Sequence, residues 1–229
     1  MSKVVLLHSA LGDSRLWRRQ ADALSSRFEV VTPDLPGFGD TPEPTGPFSH
    51  VDVVAAHLPA ALVGNSFGGR VALATALAHQ EQVSRLVLIG AGLPDWNWSD
   101  EIRSYWAAEE EAFEAGDLER TTQVNLDFWL APEHHAEVGP QQRRALELQS
   151  GHPEPEVLWP DPAPLSSLAV PTLVVVGDRD KADFQSIARH LAEEIPGAEL
   201  AVVADAGHLV GIEQPAALNA LLLDFLGEA

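Results

Sequence analysis

Leu62-Val63-Gly64-Asn65-Ser66-Phe67-Gly68-Gly69 decides how this chain is read. Before it, Ala60 to Val63 is a short apolar run of the kind that forms a buried strand. After it, Arg70 to His79 is rich in Ala and Leu, as a helix would be. A bare Gly-x-Ser-x-Gly also occurs in plain solvated turns. Set between a strand and a helix, it specifies a sharp turn that holds the Ser66 hydroxyl clear of a sheet. Side chains at Gly64 and Gly68 would meet the neighbouring strand or helix. At a helix start, free N–H groups and the helix dipole favour negative charge developing beside Ser66.

Outward from this turn the segments repeat one pattern. Lys3 to His8 is a run of apolar β-formers ending in a turn, and Phe28 to Thr32 is a second strand. Asp13 or Ser14 caps a helix over Leu16, Trp17, Gln20, Ala21 and Leu24, and Ser49 to Leu58 forms another. Pro33 to Thr41 is a loop of turn residues. Downstream, Arg85 to Gly90 and Thr172 to Val176 are continuous apolar strands, and Glu199 to Val203 is the last. Phe184, Ile187, Ala188, Leu191 and Ile195 recur at helical spacing, and a closing helix starts at Pro215. Strands alternating with helices imply a parallel sheet covered on both faces. The expected fold is α/β, with a mostly parallel sheet of about six strands and Phe28–Thr32 at an edge.

The alternation breaks between residues 94 and 167. Ser99 to Ala115, Asp117 to Leu130 and Gly139 to Gln149 have helical patterns and no strand follows them until Thr172. Residues 94–167 are therefore expected to form a helical cap inserted into a core of residues 1–93 and 168–229. Five of the six tryptophans, Trp96, Trp98, Trp106, Trp129 and Trp159, fall in the insertion. Packing of a small helical lobe accounts for most of them, with one or two lining an apolar pocket beneath it.

A serine hydroxyl needs a base within hydrogen-bond reach, and that base needs an orienting carboxylate. In an open parallel sheet such groups meet beyond the C-terminal ends of the strands. Ser66 follows the third strand, Asp180 lies in the loop after the fifth and His208 in the loop after the sixth. Asp178, next to Asp180, and Asp95, after the fourth strand, are rival acids. The rival bases are weaker. His134, His135 and His152 fall in the cap, and His50, His57, His79 and His190 on expected helices. His8, at a strand end, suits a structural part in holding the adjoining loop. No His, Asp or Glu group has a metal-ligand spacing, and Gly37-Phe38-Gly39 is too short for a nucleotide loop.

Five motifs in order resemble the α/β-hydrolase fold with a helical cap, over nearly the whole chain. His8-Ser9-Ala10 is similar to the family's His-Gly-x oxyanion loop, with Ser9 where Gly is usual. Asp34-Leu35-Pro36-Gly37-Phe38-Gly39, Gly64-Asn65-Ser66-Phe67-Gly68-Gly69, Gly177-Asp178-Arg179-Asp180 and Gly207-His208 match the other four. The resemblance implies a Ser66–His208–Asp180 triad and an oxyanion hole made by the backbone N–H groups of Ala10 and Phe67. It also implies acyl transfer without a cofactor. Members usually carry two strands ahead of the His-Gly strand. Here that strand begins at residue 3, so a sheet lacking those two is expected.

A small ester or lactone is the substrate class this favours, since an apolar cap suits a neutral or partly apolar acyl group. The His8–Gly12 loop is faintly similar to that of enol-lactonases, and Gly-Asn-Ser-Phe-Gly-Gly to the elbow of C–C bond hydrolases acting on diketones. A hydrolase-like receptor that binds a small ligand with slow turnover is a further alternative; a purely structural protein has no need of a serine elbow with aligned Asp and His. Composition sets the remaining bounds. The net charge of −20 argues against nucleic acid or an anionic membrane surface as partner, and against a highly anionic substrate unless the pocket is locally basic. No apolar run approaches the ~20 residues that span a bilayer. With no cysteine and an N-terminus too short for a signal peptide's apolar region, a cytoplasmic location is the expectation.

Overall fold

The computed structural model describes residues 1–151 and 153–227; His152, one of the cap histidines weighed above, lies outside the described residues. Six strands, β1 (Lys3–Leu7), β2 (Glu29–Val31), β3 (Ala60–Asn65), β4 (Val83–Ile89), β5 (Thr172–Gly177) and β6 (Glu199–Val203), form one sheet in the order β2-β1-β3-β4-β5-β6. All pairings are parallel. The short β2 lies at an edge, as expected of Phe28–Thr32.

The apolar runs are explained by burial on both faces. Val5, Leu7, Leu62, Leu86, Leu88, Val174 and Val176 face one layer. It is formed by α2 (His50–Ala55), α3 (Phe67–Ala78) and α7 (Ala182–Glu194). The alternate residues Val4, Leu6, Val63, Val87, Ile89, Leu173 and Val175 face the other. It is built by Leu24 of α1 (Arg18–Leu24), Val210 of α8 (Val210–Glu213) and Leu222 and Phe225 of α9 (Pro215–Gly227). Each fully buried Leu or Val contributes roughly 1.5–3 kcal/mol. Period-two alternation between two apolar layers therefore fixes the register strongly. Leu7 pairs with Gly64, Asn65 with Ile89 and Gly177 with Val203, so these strands end together at one edge. The loops that leave that edge carry Ala10, Ser66, Asp180 and His208.

Between β4 and β5 the chain forms the helical insertion: α4 (Asp100–Glu114), α5 (Leu118–Trp129) and α6 (His135–Gln149). Ser99 caps α4 by accepting from the Ile102 amide, and Asp117 caps α5 by accepting from that of Arg120. The third helix starts four residues ahead of the expected Gly139. Gly139-Pro140 reads as a helix break, yet Pro140 lies inside α6. A proline so near the start forfeits one amide bond, and burial of the apolar Val138, Ala145 and Leu146 offsets it. Leu126, Leu130 and Val138 of the insertion pack with Leu11, Leu16, Leu209 and Ile212 of the core. Trp96, Trp98 and Trp159 pack against the sheet's apolar layer, and Trp98 together with Trp106 and Trp129 lines a cavity beneath the insertion, one more than the sequence led us to expect. Among the described residues no helix is long and apolar enough to cross a membrane.

Candidate active site

Ser66 sits between β3 and α3 with φ 55° and ψ −114°. Such a conformation costs a side-chain-bearing residue on the order of 1–3 kcal/mol, so the surroundings must enforce it. They do so through the backbone. The Ser66 amide donates to the Ile89 carbonyl at 2.8 Å, and the Arg70 amide to the Ser66 carbonyl at 3.0 Å. A Cβ on Gly64 would run into the backbone of Gly68 and Gly69, and one on Gly68 into the carbonyls of Leu7 and His8. Helix α3 thus approaches both its own strand and β1 at distances only glycine allows.

Asn65 ties this turn to the neighbouring loop. Its amide donates to the carbonyls of Ile89 at 2.9 Å and His208 at 3.2 Å. His208 Nδ1 lies 3.0 Å from both carboxylate oxygens of Asp180, and both side chains are buried. A carboxylate only accepts, so Nδ1 donates and the neutral ring keeps its lone pair on Nε2. Asp180 is oriented in turn by the Lys181 amide, which donates to Oδ1 at 2.7 Å. The imidazole is wedged between Trp129 and Phe184, each 4.4 Å away between ring centroids. Asp178 and Asp95 are both exposed and neither meets His208. Glu213, which sequence reasoning missed, accepts from the amides on either side of His208, Gly207 at 2.9 Å and Leu209 at 3.3 Å. Burial pushes its carboxyl above the ordinary value, with those two amides opposing.

Across the cavity, the loop after β1 is held by its own side chains. His8 donates through Nδ1 to the Ser9 carbonyl at 2.9 Å and accepts from the Leu35 amide at Nε2 at 2.9 Å. Burial keeps this imidazole below its ordinary value, that is, neutral. Ser9 is buried, and its hydroxyl accepts from the Leu11 amide at 3.3 Å. Turned so that its nitrogen faces the loop, the Gln142 amide of α6 donates to the carbonyls of Ala10 (2.9 Å) and Leu11 (3.1 Å). Farther along α6, Arg144 and Gln149 donate to the carbonyls of Gly39 and Gly37. The other rival histidines stand apart: His134, His135, His57, His79 and His190 are half-buried, and His50 is packed between Phe48 and Phe67.

Ser66, His208, Ala10 and Phe67 all line one cavity of about 310 Å³. Its cap-side wall is aromatic, with Trp98, Trp106 and Trp129, but also polar. Tyr105 donates to Asn125 at 2.6 Å, and Asn125 to Glu109 at 2.8 Å. Burial raises the pKa of both Tyr105 and Glu109. Among the described residues no three His, Asp or Glu side chains come together as a metal site. The arrangement offers a strained hydroxyl at a helix N-terminus and a carboxylate-oriented imidazole around one cavity.

The model of the alpha/beta hydrolase family matches residues 4–221. The chain belongs to the α/β-hydrolase family. It is 31% identical to 2-hydroxymuconate semialdehyde hydrolase of Pseudomonas sp. (strain CF600), over 93% of this chain and 81% of that protein. It is 30% identical to pimeloyl-[acyl-carrier protein] methyl ester esterase of Aeromonas hydrophila, over 98% of this chain and 95% of that one. The crystal structure of the enol-lactonase from Burkholderia xenovorans LB400 shares the fold, with a TM-score of 0.77 at 24% identity, covering 99% and 92% of the two chains.

Proposed function

We propose that this hydrolase cleaves a small carboxylic ester or lactone through an acyl-enzyme intermediate on Ser66. The observation that carries the reading is the buried Asp180–His208 pair opening onto the same cavity as the strained Ser66. Ser66 Oγ attacks the carbonyl carbon while His208 Nε2 takes its proton. The oxyanion is met by the N–H groups of Phe67, whose position at the head of α3 leaves it free, and of Ala10. One such donor is worth on the order of 3 kcal/mol. His208 then gives its proton to the leaving oxygen, and activates a water that releases the acid. Asp180 holds the working tautomer throughout. No step of this scheme calls on a cofactor. Residues 94–167 act as the cap that encloses the acyl group.

A second reading, hydrolysis of a C–C bond in a diketone, is favoured by the sequence likeness to 2-hydroxymuconate semialdehyde hydrolase. One set of assays tests both. The native chain and Ser66→Ala are compared on p-nitrophenyl esters, lactones and a vinylogous diketone, with a serine-directed phosphonate located by mass. Turnover of esters and labelling at Ser66, both lost in Ser66→Ala, is the expected result. Turnover of the diketone alone replaces the ester reading with the C–C one. A folded protein that neither labels nor turns over any probe refutes the proposal.

A further inference from the structure

Arg70 lies one turn beyond Ser66 in α3, about 6 Å along the helix axis. It is half-buried, and among the described residues no carboxylate or carbonyl accepts a hydrogen bond from its guanidinium. Its contact is with the face of Trp159, whose ring centroid is 4.2 Å away. Burial works against its charge, and the exposed Asp95 supports it only through space. Elsewhere the pattern is different: Arg15, Arg19, Arg120, Arg143 and Lys181 each hold a carboxylate. In a chain with 34 acidic and 14 basic side chains, a half-buried arginine without an acceptor is out of character.

Its position gives the reason. Arg70 lines the 310 Å³ cavity of Ser66 and also an adjoining one of about 530 Å³, and the two share Phe38, Phe67 and Gln149 as well. Among the described residues it is the only lysine or arginine in either wall. His50, in the second cavity, is held neutral, its pKa lowered by burial to about 4. Glu43 and Glu154 in that wall, with Glu109 in the first, would repel a second negative charge. A lone planar guanidinium matches a single carboxylate bidentately.

Resting on the ester-hydrolase reading, we propose that Arg70 anchors a carboxylate carried by the substrate. The enzyme then takes esters that bear one free carboxylate several bonds from the scissile carbonyl, with the second cavity receiving that arm. This narrows the neutral or partly apolar substrate read from the sequence: the pocket is locally basic at one point.

The test compares kcat/KM for monomethyl adipate with that for dimethyl adipate, which has the same length and no charge. The native enzyme is expected to favour the monoester by at least tenfold, the order expected of a charge-assisted hydrogen bond. Arg70→Gln collapses that ratio, chiefly through KM, while Arg70→Lys retains part of it and Arg103→Gln, on an exposed face of α4, retains all of it. A native ratio near one, or one unmoved by Arg70→Gln, overturns the assignment. A second measurement does not depend on turnover. Monomethyl adipate, which carries the single charge the site is argued to accept and which Ser66→Ala cannot turn over, is titrated by tryptophan fluorescence into Ser66→Ala, with and without Arg70→Gln. A tenfold loss of affinity in the double variant is expected, and equal affinities refute the anchor even if the hydrolase reading fails in its own assays.

Discussion

Replacing Asp180 by Asn perturbs one atom of the site and has a calculable outcome. The Lys181 amide donates to Oδ1 at 2.7 Å and will continue to seek an acceptor. Asparagine keeps its oxygen there and turns its NH2 toward His208 Nδ1, which the carboxylate now meets at 3.0 Å with both oxygens. Two donors cannot face each other in a site where both side chains are buried. The imidazole therefore moves its proton to Nε2, and the lone pair that would serve Ser66 is lost. The pair also forfeits a charge-assisted hydrogen bond, about 1.5–3 kcal/mol. Tautomer reversal at a triad of this type lowers kcat by about 10⁴, equivalent to ~5 kcal/mol of barrier. Ester hydrolysis gives the rate, and ¹⁵N spectra of the ring give the tautomer directly. A variant within tenfold of the native kcat, or one whose Nδ1 stays protonated, refutes the reasoning.

Glu213→Ala leaves the Gly207 and Leu209 amides without their acceptor, so unfolding free energy should fall by about 2 kcal/mol in a denaturant titration. Activity is expected to fall with it, because those amides flank His208. Gly68→Ala drives a methyl group into the carbonyls of Leu7 and His8 and should cost about 3 kcal/mol, read as a lower denaturation midpoint. His50 supplies a pH signature. Its pKa is lowered by burial from 6.5 to about 4, so the unfolded chain binds the extra proton between those values. Stability is then full above pH 6.5 and is lost as pH falls toward 4, by up to about 3 kcal/mol. His50→Leu should flatten that slope in urea titrations across the same window, and an unchanged slope assigns it elsewhere.

What was legible in the sequence was what sterics or periodicity impose locally. The glycines around Ser66 announce a turn that no side chain would tolerate, and the alternating burial of β1, β3, β4 and β5 is written in unbroken apolar runs. Strand order put Asp180 and His208 in loops at one sheet edge, and the Gly-x-x-Asp motif singled out Asp180 from Asp178. The start of α6 was hidden because Gly139-Pro140 signals a break that packing overrides. Glu213, Gln142 and Arg70 gave no signal of their part, since which neighbour a helical side chain meets depends on where the helix docks. Asn65 was quoted only as a letter of the motif; its bonds to Ile89 and His208 need the sheet register to exist.

Helix α6 is fastened to the frame along its length. Glu137 pairs with Arg19 at 2.7 Å, Gln142 hangs on the carbonyls of Ala10 and Leu11, and Arg144 and Gln149 on those of Gly39 and Gly37. A helix held at four of its residues in this way resists moving away from the core as a rigid unit. Any displacement of α6 would pull on the Ala10 and Leu11 carbonyls, and so on the loop whose Ala10 N–H meets the oxyanion in the proposed mechanism. The anchors of α6 thus couple the insertion to the backbone of two core loops, and not to side chains alone.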